Sequence, residues 1–523
     1  METPTEEKRG PGRPTKAAVL AAQAPRTLTV RPTARLTLLA CGTGDYGELG
    51  IGTSPPQRSA PKAKIIPTCD PAKPGTFSIV QVAVGGMHTV CLTSKGRIIT
   101  WGVNDKCALG RDTSGWTGGA REIVPSDGSS SSSNDSESDD GELNPLEATP
   151  TMISISSFDG ESNFTSVAAG NNCSFAVTSA GDLWGWGSFL NREGKSTFYP
   201  HPTSPTGFVT TQPTPTKIPH LPPIVSISVG TDHVLALTST SQLYAWGVGE
   251  QSQFGRRLRL RSDFATVSSA PMPRRVELFR RAPRMGFSGP YHAFAIDERD
   301  NVWSWGLNSY GQTGDVSTVG TTESASFNPS TIPSLRGKRV IMVAGGGHHS
   351  VAVTESGEAY VWGRMDGGQL GIKFTAEELN DQELIVKDGR GKPRICLQPT
   401  LVRIEEEEES RLGRGRGAAA SKTATNSKWH QPPKFVHASC SAESTILLTD
   451  KGVAYGTGFN TMGQLGLGHE VDVEVFTRLK TKSVRSKKLV WAGCGGQFSI
   501  LAYPAPANTA QEEGNEEDDG GEE

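Results

Sequence analysis

Short runs of alternating apolar and polar residues, bounded by glycines, recur along this chain. Within residues 343–371, an alternating run at Ser350–Thr354 is followed by a turn at Glu355–Gly357 and a second apolar run at Ala359–Trp362. Two short β-rich runs joined by a glycine-containing turn predict an antiparallel hairpin. The repeating unit has no sustained 3.6-residue periodicity, so the pattern predicts an all-β chain.

The copies of this hairpin unit can be counted by a pair of marker glycines eight residues apart, such as Gly363 and Gly371. A further unit has Gly187 but carries Lys195 where its second glycine is expected. β-Rich units repeated at a roughly constant interval predict a seven-bladed β-propeller. The other pairs are Gly42/Gly50, Gly102/Gly110, Gly247/Gly255, Gly306/Gly314 and Gly458/Gly466. Tryptophans that precede a marker glycine are predicted to pack between blades, namely Trp101, Trp186, Trp246, Trp305 and Trp362.

The two ends of the repeat region complement each other. The first unit, Leu36–Gly50, is only the second half of a hairpin unit, and the missing half appears at Leu489–Leu501. We therefore predict that C-terminal strands complete the first blade and close the ring, which leaves no open sheet edge. The propeller is expected over residues 36–503.

Charge and low-complexity composition predict four segments outside the propeller sheets. Residues 1–35 carry seven basic and three acidic side chains and are predicted to be a disordered basic tail, and residues 504–523 a disordered acidic tail. A Ser-rich acidic stretch predicts a mobile insertion at 125–147. A second mobile insertion is predicted at 373–433, which contains Glu405–Glu409.

Several classes of function find no support in the sequence. No apolar run is long enough to cross a bilayer, so no membrane association is expected. The eight cysteines are scattered without a Cys-x-x-Cys pair, which favours a reducing compartment and argues against a zinc ribbon. There is no P-loop, no nucleophile elbow and no metalloprotease motif. We therefore expect neither covalent catalysis nor a bound metal or cofactor.

The segments Gly85–Leu92 and Ala108–Ser114 resemble the regulator of chromosome condensation family, and the resemblance extends over about 36–502 apart from the two insertions. It implies a guanine nucleotide exchange factor for the small GTPase Ran, located in the nucleus at chromatin. Such a factor supports nucleocytoplasmic transport and mitotic organisation. Because the blade motif alone specifies only a fold, a propeller scaffold without exchange activity remains the alternative.

The resemblance also implies site residues on one face of the ring. Asp232 and His348 precede the repeated histidine position and are predicted to act in exchange. For the repeated histidines themselves, hydrogen bonding between loops is the alternative. The broken repeat in blade three implies a β-wedge that presses on the GTPase, formed by Asn191, Arg192, Glu193, Gly194 and Lys195. GTPase contacts are predicted at Asp45, His88, Asn171 and Arg256. The chain departs from the family at Asn171, where an acidic residue is usual, and at Cys173 and Phe498, which replace histidines.

Two basic regions predict contacts with chromatin. Lys8, Arg9 and Arg13 lie in a Gly-Arg-Pro context that resembles an AT-hook, although a nuclear import signal would explain the same charges. The family places a loop that grips the acidic surface of the histone dimer after the fourth blade, where a solvated loop is the alternative. The predicted nucleosome or DNA contacts there are Arg257, Arg259, Arg261, Arg274 and Arg275.

Overall fold

The computed structural model describes residues 26–53, 58–116, 142–161, 163–200, 208–256, 269–319, 324–404 and 433–506. Its larger sheets are seven antiparallel blades, six with four strands and one with five. This arrangement confirms the predicted seven-bladed, all-β propeller.

Within each blade, successive strands lie side by side from the innermost to the outermost. The blades follow one another around the ring, and short helical turns lie in the connections. Blades one to three contain β1 (Leu36–Thr43), β2 (Ser59–Ile65), β3 (Ile79–Val84), β4 (His88–Thr93), β5 (Ile98–Gly102), β6 (Thr151–Met152), β7 (Phe164–Ala169), β8 (Cys173–Thr178), β9 (Leu183–Gly187) and β14 (Gln212–Lys217). Two small hairpins in blade three are β10 (Phe189–Leu190) with β11 (Ser196–Thr197), and β12 (Tyr199–Pro200) with β13 (Phe208–Val209).

Blades four to seven repeat this pattern, and the C-terminal strands return to blade one. They contain β15 (Ile224–Val229), β16 (His233–Thr238), β17 (Leu243–Val248), β18 (Ser269–Val276), β19 (Pro283–Ser288), β20 (His292–Asp297), β21 (Val302–Leu307), β22 (Ala325–Thr331), β23 (Val340–Gly345), β24 (His349–Thr354), β25 (Ala359–Arg364), β26 (Ile385–Lys387), β27 (Pro393–Leu401), β28 (Phe435–Cys440), β29 (Ser444–Thr449), β30 (Ala454–Gly458), β31 (Val473–Arg478), β32 (Trp491–Cys494) and β33 (Phe498–Pro504). The described helices are α1 (Pro145–Ala148), α2 (Ala376–Asn380) and 3-10 turns at Pro67–Cys69, Ile155–Phe158, Val316–Thr318 and Pro333–Leu335.

Blade one is closed by strands from both ends of the chain, as predicted. Strand β1 pairs antiparallel with β33, with Leu36 opposite Pro504 and Gly42 opposite Phe498. The strand order in this sheet is β2-β1-β33-β32. The C-terminal strands thus supply the inner half of the first blade, and pairing of the two ends removes the edge that an open ring would expose.

The core lies between the blades, and the marker tryptophans fill it. All five are at most 1% exposed. The Trp101 indole N–H donates to the Glu48 carbonyl of the preceding blade at 3.0 Å. Trp362 donates to the Gln312 carbonyl at 2.9 Å in the same way. The predicted packing of these tryptophans between blades is confirmed, and each such bond also satisfies a buried donor.

The marker glycines have a backbone reason to be glycine. Gly102 has a φ of 102°, and a Cβ there would collide with the backbone of Met87 and His88. Gly110 has a φ of 66°, and a Cβ there would press on the Trp186 ring. The first glycine therefore lets two strands approach closely, and the second makes room for the tryptophan of the next blade.

The two predicted mobile insertions are shorter in the structure. Residues 142–147, predicted as the end of the first insertion, are described and contain the start of α1. The stretch 373–404, predicted as part of a mobile insertion, instead forms α2, β26 and β27, and β27 is the fourth strand of blade six. Glu-rich residues 405–432 and the segment 117–141 lie outside the described residues.

Part of the predicted basic tail also packs on the ring. Arg26 donates to the carbonyls of Arg284 and Pro283 at 2.9 and 3.1 Å. Arg31 donates to the carbonyls of Phe164 and Ser94 at 2.7 and 2.9 Å. Basic residues at these two positions therefore bind carbonyls at strand ends of blades two, three and five. Residues 1–25 and 507–523 lie outside the described residues.

Candidate functional site

The loops at one end of the ring carry a series of acidic side chains. These loops connect the first to the second strand and the third to the fourth strand of each blade, so they share one face of the propeller. We call it the acidic face. Its carboxylates recur at two fixed positions of the repeat. Directly before the second strand of a blade lie Asp232 and Glu443. Three residues after a marker glycine lie Asp45, Asp105, Glu250 and Asp366.

A hairpin rises from this face where the repeat is broken in blade three. Strands β10 and β11 pair with Phe189 opposite Thr197 and Leu190 opposite Ser196. The loop between them, residues 191–195, is closed by the Asn191 carboxamide, which accepts from the backbone N–H groups of Glu193 and Lys195 at 3.0 and 2.8 Å. The structure therefore brings the five predicted wedge residues together in one tight turn.

Aromatic stacking anchors the base of this hairpin. The rings of Phe189 and Phe198 are 5.5 Å apart and nearly parallel, and both stack on Phe175. Phe175 in turn meets Trp246 of blade four edge-on, with ring centroids 6.1 Å apart. Both hairpin phenylalanines are at most 2% exposed. A buried aromatic base beneath a polar tip makes a rigid projection.

Two carboxylates of blade four hold the hairpin from the side. Asp232 accepts from the Leu190 backbone N–H at 2.7 Å, and Glu250 accepts from the Arg192 backbone N–H at 3.0 Å. Burial raises the pKa of Asp232 to about 6, with the Leu190 bond opposing the rise and Glu250 adding to it. At neutral pH the ionised Asp232 makes a charge-assisted bond to the hairpin, so its role in the structure is to position the hairpin.

His348 lies in a second polar cluster on the acidic face. Its ring is 4.8 Å from that of Tyr310, and its Nδ1 is 3.5 Å from the Gln312 amide nitrogen. Burial, followed by the charge of Arg364, lowers the pKa of His348. Arg364 also pairs with Glu443. His348 is therefore neutral at physiological pH, and the cluster combines a neutral imidazole with an Arg–carboxylate pair.

Arg256 places a cation in blade four, next to the blade that carries the hairpin. Its guanidinium lies over the Phe254 ring at 4.9 Å, and both terminal nitrogens are buried without a hydrogen-bond partner among the described residues. Burial and then Arg274 lower the pKa of Arg256 to about 10, which leaves it charged. A buried cation without an acceptor is energetically costly, so this position favours an incoming anionic group.

His88 was predicted to contact the GTPase, and its position is different. The side chain is 1% exposed, and its Nε2 lies 2.8 Å from the Ser174 hydroxyl of the next blade. Burial lowers its pKa to about 4. His88 is thus a link between blades beneath the surface, as are His292 with Ser350 and His349 with Thr445.

The remaining predicted positions are spread over the molecule. Asp45 is partly exposed in a turn of blade one, and Asn171 is exposed with its N–H donating to the Thr231 carbonyl. Arg274 and Arg275 are exposed on the outer strand of blade four, where Arg275 pairs with Glu277 at 3.2 Å. The other predicted chromatin contacts, Lys8, Arg9, Arg13, Arg257, Arg259 and Arg261, lie outside the described residues.

Sequence reasoning missed Glu250, Arg364 and Glu443. Glu443 occupies the same repeat position as Asp232 and His348, so extending that series to blade seven would have identified it. Arg364 directly follows its marker glycine, where blades four and five have Val248 and Leu307. Aligning every repeat position by position would have provided the signal for both.

Among the described residues, no group of three or more His, Cys, Asp or Glu side chains could hold a metal ion. Burial raises the pKa of the Cys41 and Cys69 thiols to about 12. None of the helices in the described ranges is long and apolar enough to cross a membrane.

Comparison with known proteins agrees with the architecture. Residues 37–501 match the model of the RCC1-like domain. The chain is 32% identical to guanine nucleotide exchange factor SRM1 of Saccharomyces cerevisiae, over 90% of this chain and 88% of that protein. It is 30% identical to protein pim1 of Schizosaccharomyces pombe, over 90% of this chain and 75% of that protein. The crystal structure of Prp20p from Saccharomyces cerevisiae, described together with its binding properties to Gsp1p and histones, superposes with a TM-score of 0.73 at 29% identity, covering 92% and 94% of the two chains.

Proposed function

Because this chain belongs to the family of RCC1-like domain propellers, we propose that it is a guanine nucleotide exchange factor for a Ran-type small GTPase. It acts in the nucleus at chromatin, where it promotes GDP release and GTP loading and so supports nucleocytoplasmic transport and mitotic organisation. The observation that carries the proposal is the buttressed hairpin β10–β11, which stands on the acidic face at the one blade whose repeat is broken.

Exchange requires no covalent step. A small GTPase that holds its nucleotide with near-picomolar affinity is stabilised by about 16 kcal/mol, so spontaneous release is slow. A factor that prefers the nucleotide-free GTPase weakens nucleotide binding by the same factor, because the coupling is reciprocal. This chain therefore needs a docking surface that binds the GTPase and an element that disturbs the phosphate site.

The acidic face is suited to docking. Its carboxylates complement a basic surface, and opposite charges increase the rate of encounter between partners. Arg256 adds a cation whose terminal nitrogens have no hydrogen-bond acceptor among the described residues, and it therefore suits a carboxylate of the GTPase. Glu443 and Arg364 are already paired with each other, and this pair fixes the loop that carries His348. Docking and positioning thus use different side chains of the same face.

The hairpin is suited to the second task. Its tip at residues 191–195 is polar and exposed, whereas its base is buried and held by Asp232 and Glu250. A projection that is already rigid can compete for the space near the phosphate loop. Because it does not have to become ordered when it binds, little binding free energy is lost to ordering. Asp232 acts through the hairpin and is a positioning residue.

Chromatin binding by the N-terminal basic residues is assigned to the opposite side of the ring. Arg26, the first described residue, binds carbonyls at Pro283 and Arg284, where the first strand of blade five begins. These groups lie at the face away from the hairpin. Arg26 thus lies away from the hairpin, which supports chromatin binding by the N-terminal basic residues while the GTPase occupies the acidic face.

A nucleotide-release assay tests the proposal. The purified chain should accelerate release of fluorescent GDP from Ran and leave an unrelated small GTPase of the Ras type unaffected. A protein that binds Ran but leaves its release rate unchanged is the non-exchanging scaffold, and that result would refute the proposal. Deleting residues 1–25 should weaken nucleosome binding in a salt-dependent manner and leave release from free Ran unchanged.

A further inference from the structure

A groove runs along the outer edge of blade five, from Asp315 and Ala325 at the acidic-face end to Phe279 at the opposite end. Two adjoining depressions, of about 460 and 530 Å³, share the side chains of Phe279, Trp303 and Thr331. One wall is β22, the outermost strand of its sheet. The facing wall is formed by the turn that links blade four to blade five. The groove is therefore a shallow channel with a strand edge on one side and an aromatic pair on the other.

The turn that forms this wall has an unusual composition. The Arg281 N–H donates to the Leu278 carbonyl at 2.8 Å, and the two central residues, Phe279 and Arg280, have φ values of 41° and 66°. Turns with positive φ at both central residues strongly favour Asn-Gly, because larger side chains are strained there. Strain that the sequence retains at a surface turn is a reason to look for a function.

The strained turn holds an aromatic ring in solvent. Phe279 is 70% exposed and stacks on Trp303 with ring centroids 6.0 Å apart and planes 24° apart. Trp303 is fixed from below, since its indole N–H donates to the Asp297 carboxylate at 2.9 Å. The result is a preformed apolar platform, which binds a partner side chain at low entropic cost.

Three arginines line the mouth of the groove. Arg281, Arg299 and Arg336 all border the second depression, and none of them forms an ion pair with a described residue. Arginines nearby on the same face are paired, such as Arg284 with Asp300 at 2.7 Å and Arg339 with Glu355 at 2.7 Å. The groove therefore concentrates positive charge that the described protein does not neutralise.

We propose that this groove docks an extended, acidic segment of a partner protein. The segment lies along the edge of β22, one apolar side chain packs against Phe279, and its carboxylates reach the three arginines. Addition of a strand to a sheet edge provides backbone hydrogen bonds, and the side-chain platform provides selectivity. A peptide fits better than a nucleic acid because β22 is the outermost strand of its sheet, and only another polypeptide can extend that sheet by backbone pairing.

Binding of a short fluorescein-labelled peptide of glutamates with one central phenylalanine, followed by fluorescence anisotropy, tests the proposal. The wild-type chain should bind it with an affinity that falls as salt rises, and the matched lysine peptide should not bind. Replacing Arg299 and Arg336 by Gln should weaken binding about a hundredfold, since the loss of one charged contact of about 1.4 kcal/mol is tenfold and the variant removes two. Arg485→Gln, a change to an exposed arginine of the last blade connection, should have no effect. Equal affinity of the Gln variant and the wild type would overturn the assignment.

A second variant separates binding from structure. Phe279→Asn combined with Arg280→Gly gives the turn its preferred residues, so the midpoint of thermal unfolding should rise while peptide binding is lost. A variant that is stabilised and still binds the peptide would mean that Phe279 has no role in docking. Equal binding of a single-stranded oligonucleotide, lost in the same variants, would reassign the groove to nucleic acid. Peptide binding seen only after deletion of residues 405–432 would reassign it to the chain's own glutamates.

Discussion

Single residues of this propeller can be interpreted by their position within the repeat. The residue directly before the second strand of a blade points to the acidic face, whereas the first residue of that strand is buried. Asp232 and His233 are adjacent in the chain and differ in this way, since Asp232 contacts the wedge and His233 is 0% exposed. The sequence placed Asp232 and His88 on the same face, but it could not show that Asp232 is largely covered by the hairpin and that His88 is buried, because burial depends on the neighbouring elements.

Asp232 should influence exchange through the hairpin. Asp232→Ala removes the acceptor for the Leu190 N–H and should lower the rate of nucleotide release about tenfold, while Asp232→Asn keeps an acceptor oxygen and should lose much less. Release kinetics and circular dichroism of both variants provide the measurement. Asp450→Asn, a change to an exposed acidic residue at the opposite face, is the control. Equal release rates for Asp232→Ala and wild type would contradict the positioning role.

The raised pKa of Asp232 also predicts how stability depends on pH. Its folded-state pKa of about 6 exceeds the ordinary value of 3.8, so the favourable contribution is present below about pH 4 and is lost as pH rises through 6. The unfolding temperature of Asp232→Asn relative to wild type should therefore increase between these pH values and stay constant above them. Parallel curves for the two proteins over this range would show that Asp232 does not titrate as stated.

His233 offers a test of the links between blades. His88, His292 and His349 each face a hydroxyl of the next blade at 2.8 Å, but Ala293 occupies that position opposite His233. Both ring nitrogens of His233 lack a partner among the described residues.

Ala293→Ser should restore this link and raise the free energy of unfolding by about 1 kcal/mol. The reason is that a serine there can bond both His233 and the Gln253 carbonyl, as Ser174 does for His88 and the Ala108 carbonyl. Denaturant titration measures the change, and Ala293→Val is the control for added volume without a hydroxyl. Unchanged or reduced stability of the serine variant would mean that His233 is already satisfied by water.

At the scale of elements, the departure from the repeat was as informative as the repeat itself. Lys195 in place of a glycine predicted an irregular element in blade three, and the structure has a hairpin there. Its aromatic base was not predictable, because Phe175, Phe189 and Phe198 are separated in sequence and meet only after the blade folds. Strand β27 was missed for a similar reason, since charged residues 376–394 separate it from the rest of blade six.

Replacing the hairpin tip, residues 191–195, by a short Gly/Ser loop should separate binding from exchange. Docking residues such as Arg256 remain, so affinity for the nucleotide-free GTPase should fall little. The release rate should fall about ten- to a hundredfold, because a contact made mainly on the way to nucleotide release affects the rate. Affinity and release rate measured on the same variant decide the outcome. A parallel loss of both would make the tip part of the docking surface, and no loss of either would remove the wedge from the mechanism.

At the scale of the whole molecule, closure of the ring could be predicted because each end of the chain contains half of one unit. That inference needed only the order of the apolar runs and the marker glycines along the chain. The packing of Arg26 and Arg31 across the blades depends instead on carbonyl groups at strand ends, which no sequence pattern indicates. Long-range pairing between β1 and β33 makes the stability of every blade depend on both ends.

Truncation at the C-terminus should therefore act in an all-or-none manner. A chain ending at residue 488 lacks β32 and β33, which leaves β1 without its partner strand and exposes the core packed against Phe498 and Ile500. We expect this protein to be insoluble or to lack a cooperative thermal transition. A chain ending at Pro506 keeps both strands and should unfold at the temperature of the full-length protein. Cooperative unfolding of the shorter chain would mean that the remaining blades are stable as an open arc, and that closure contributes little to the fold.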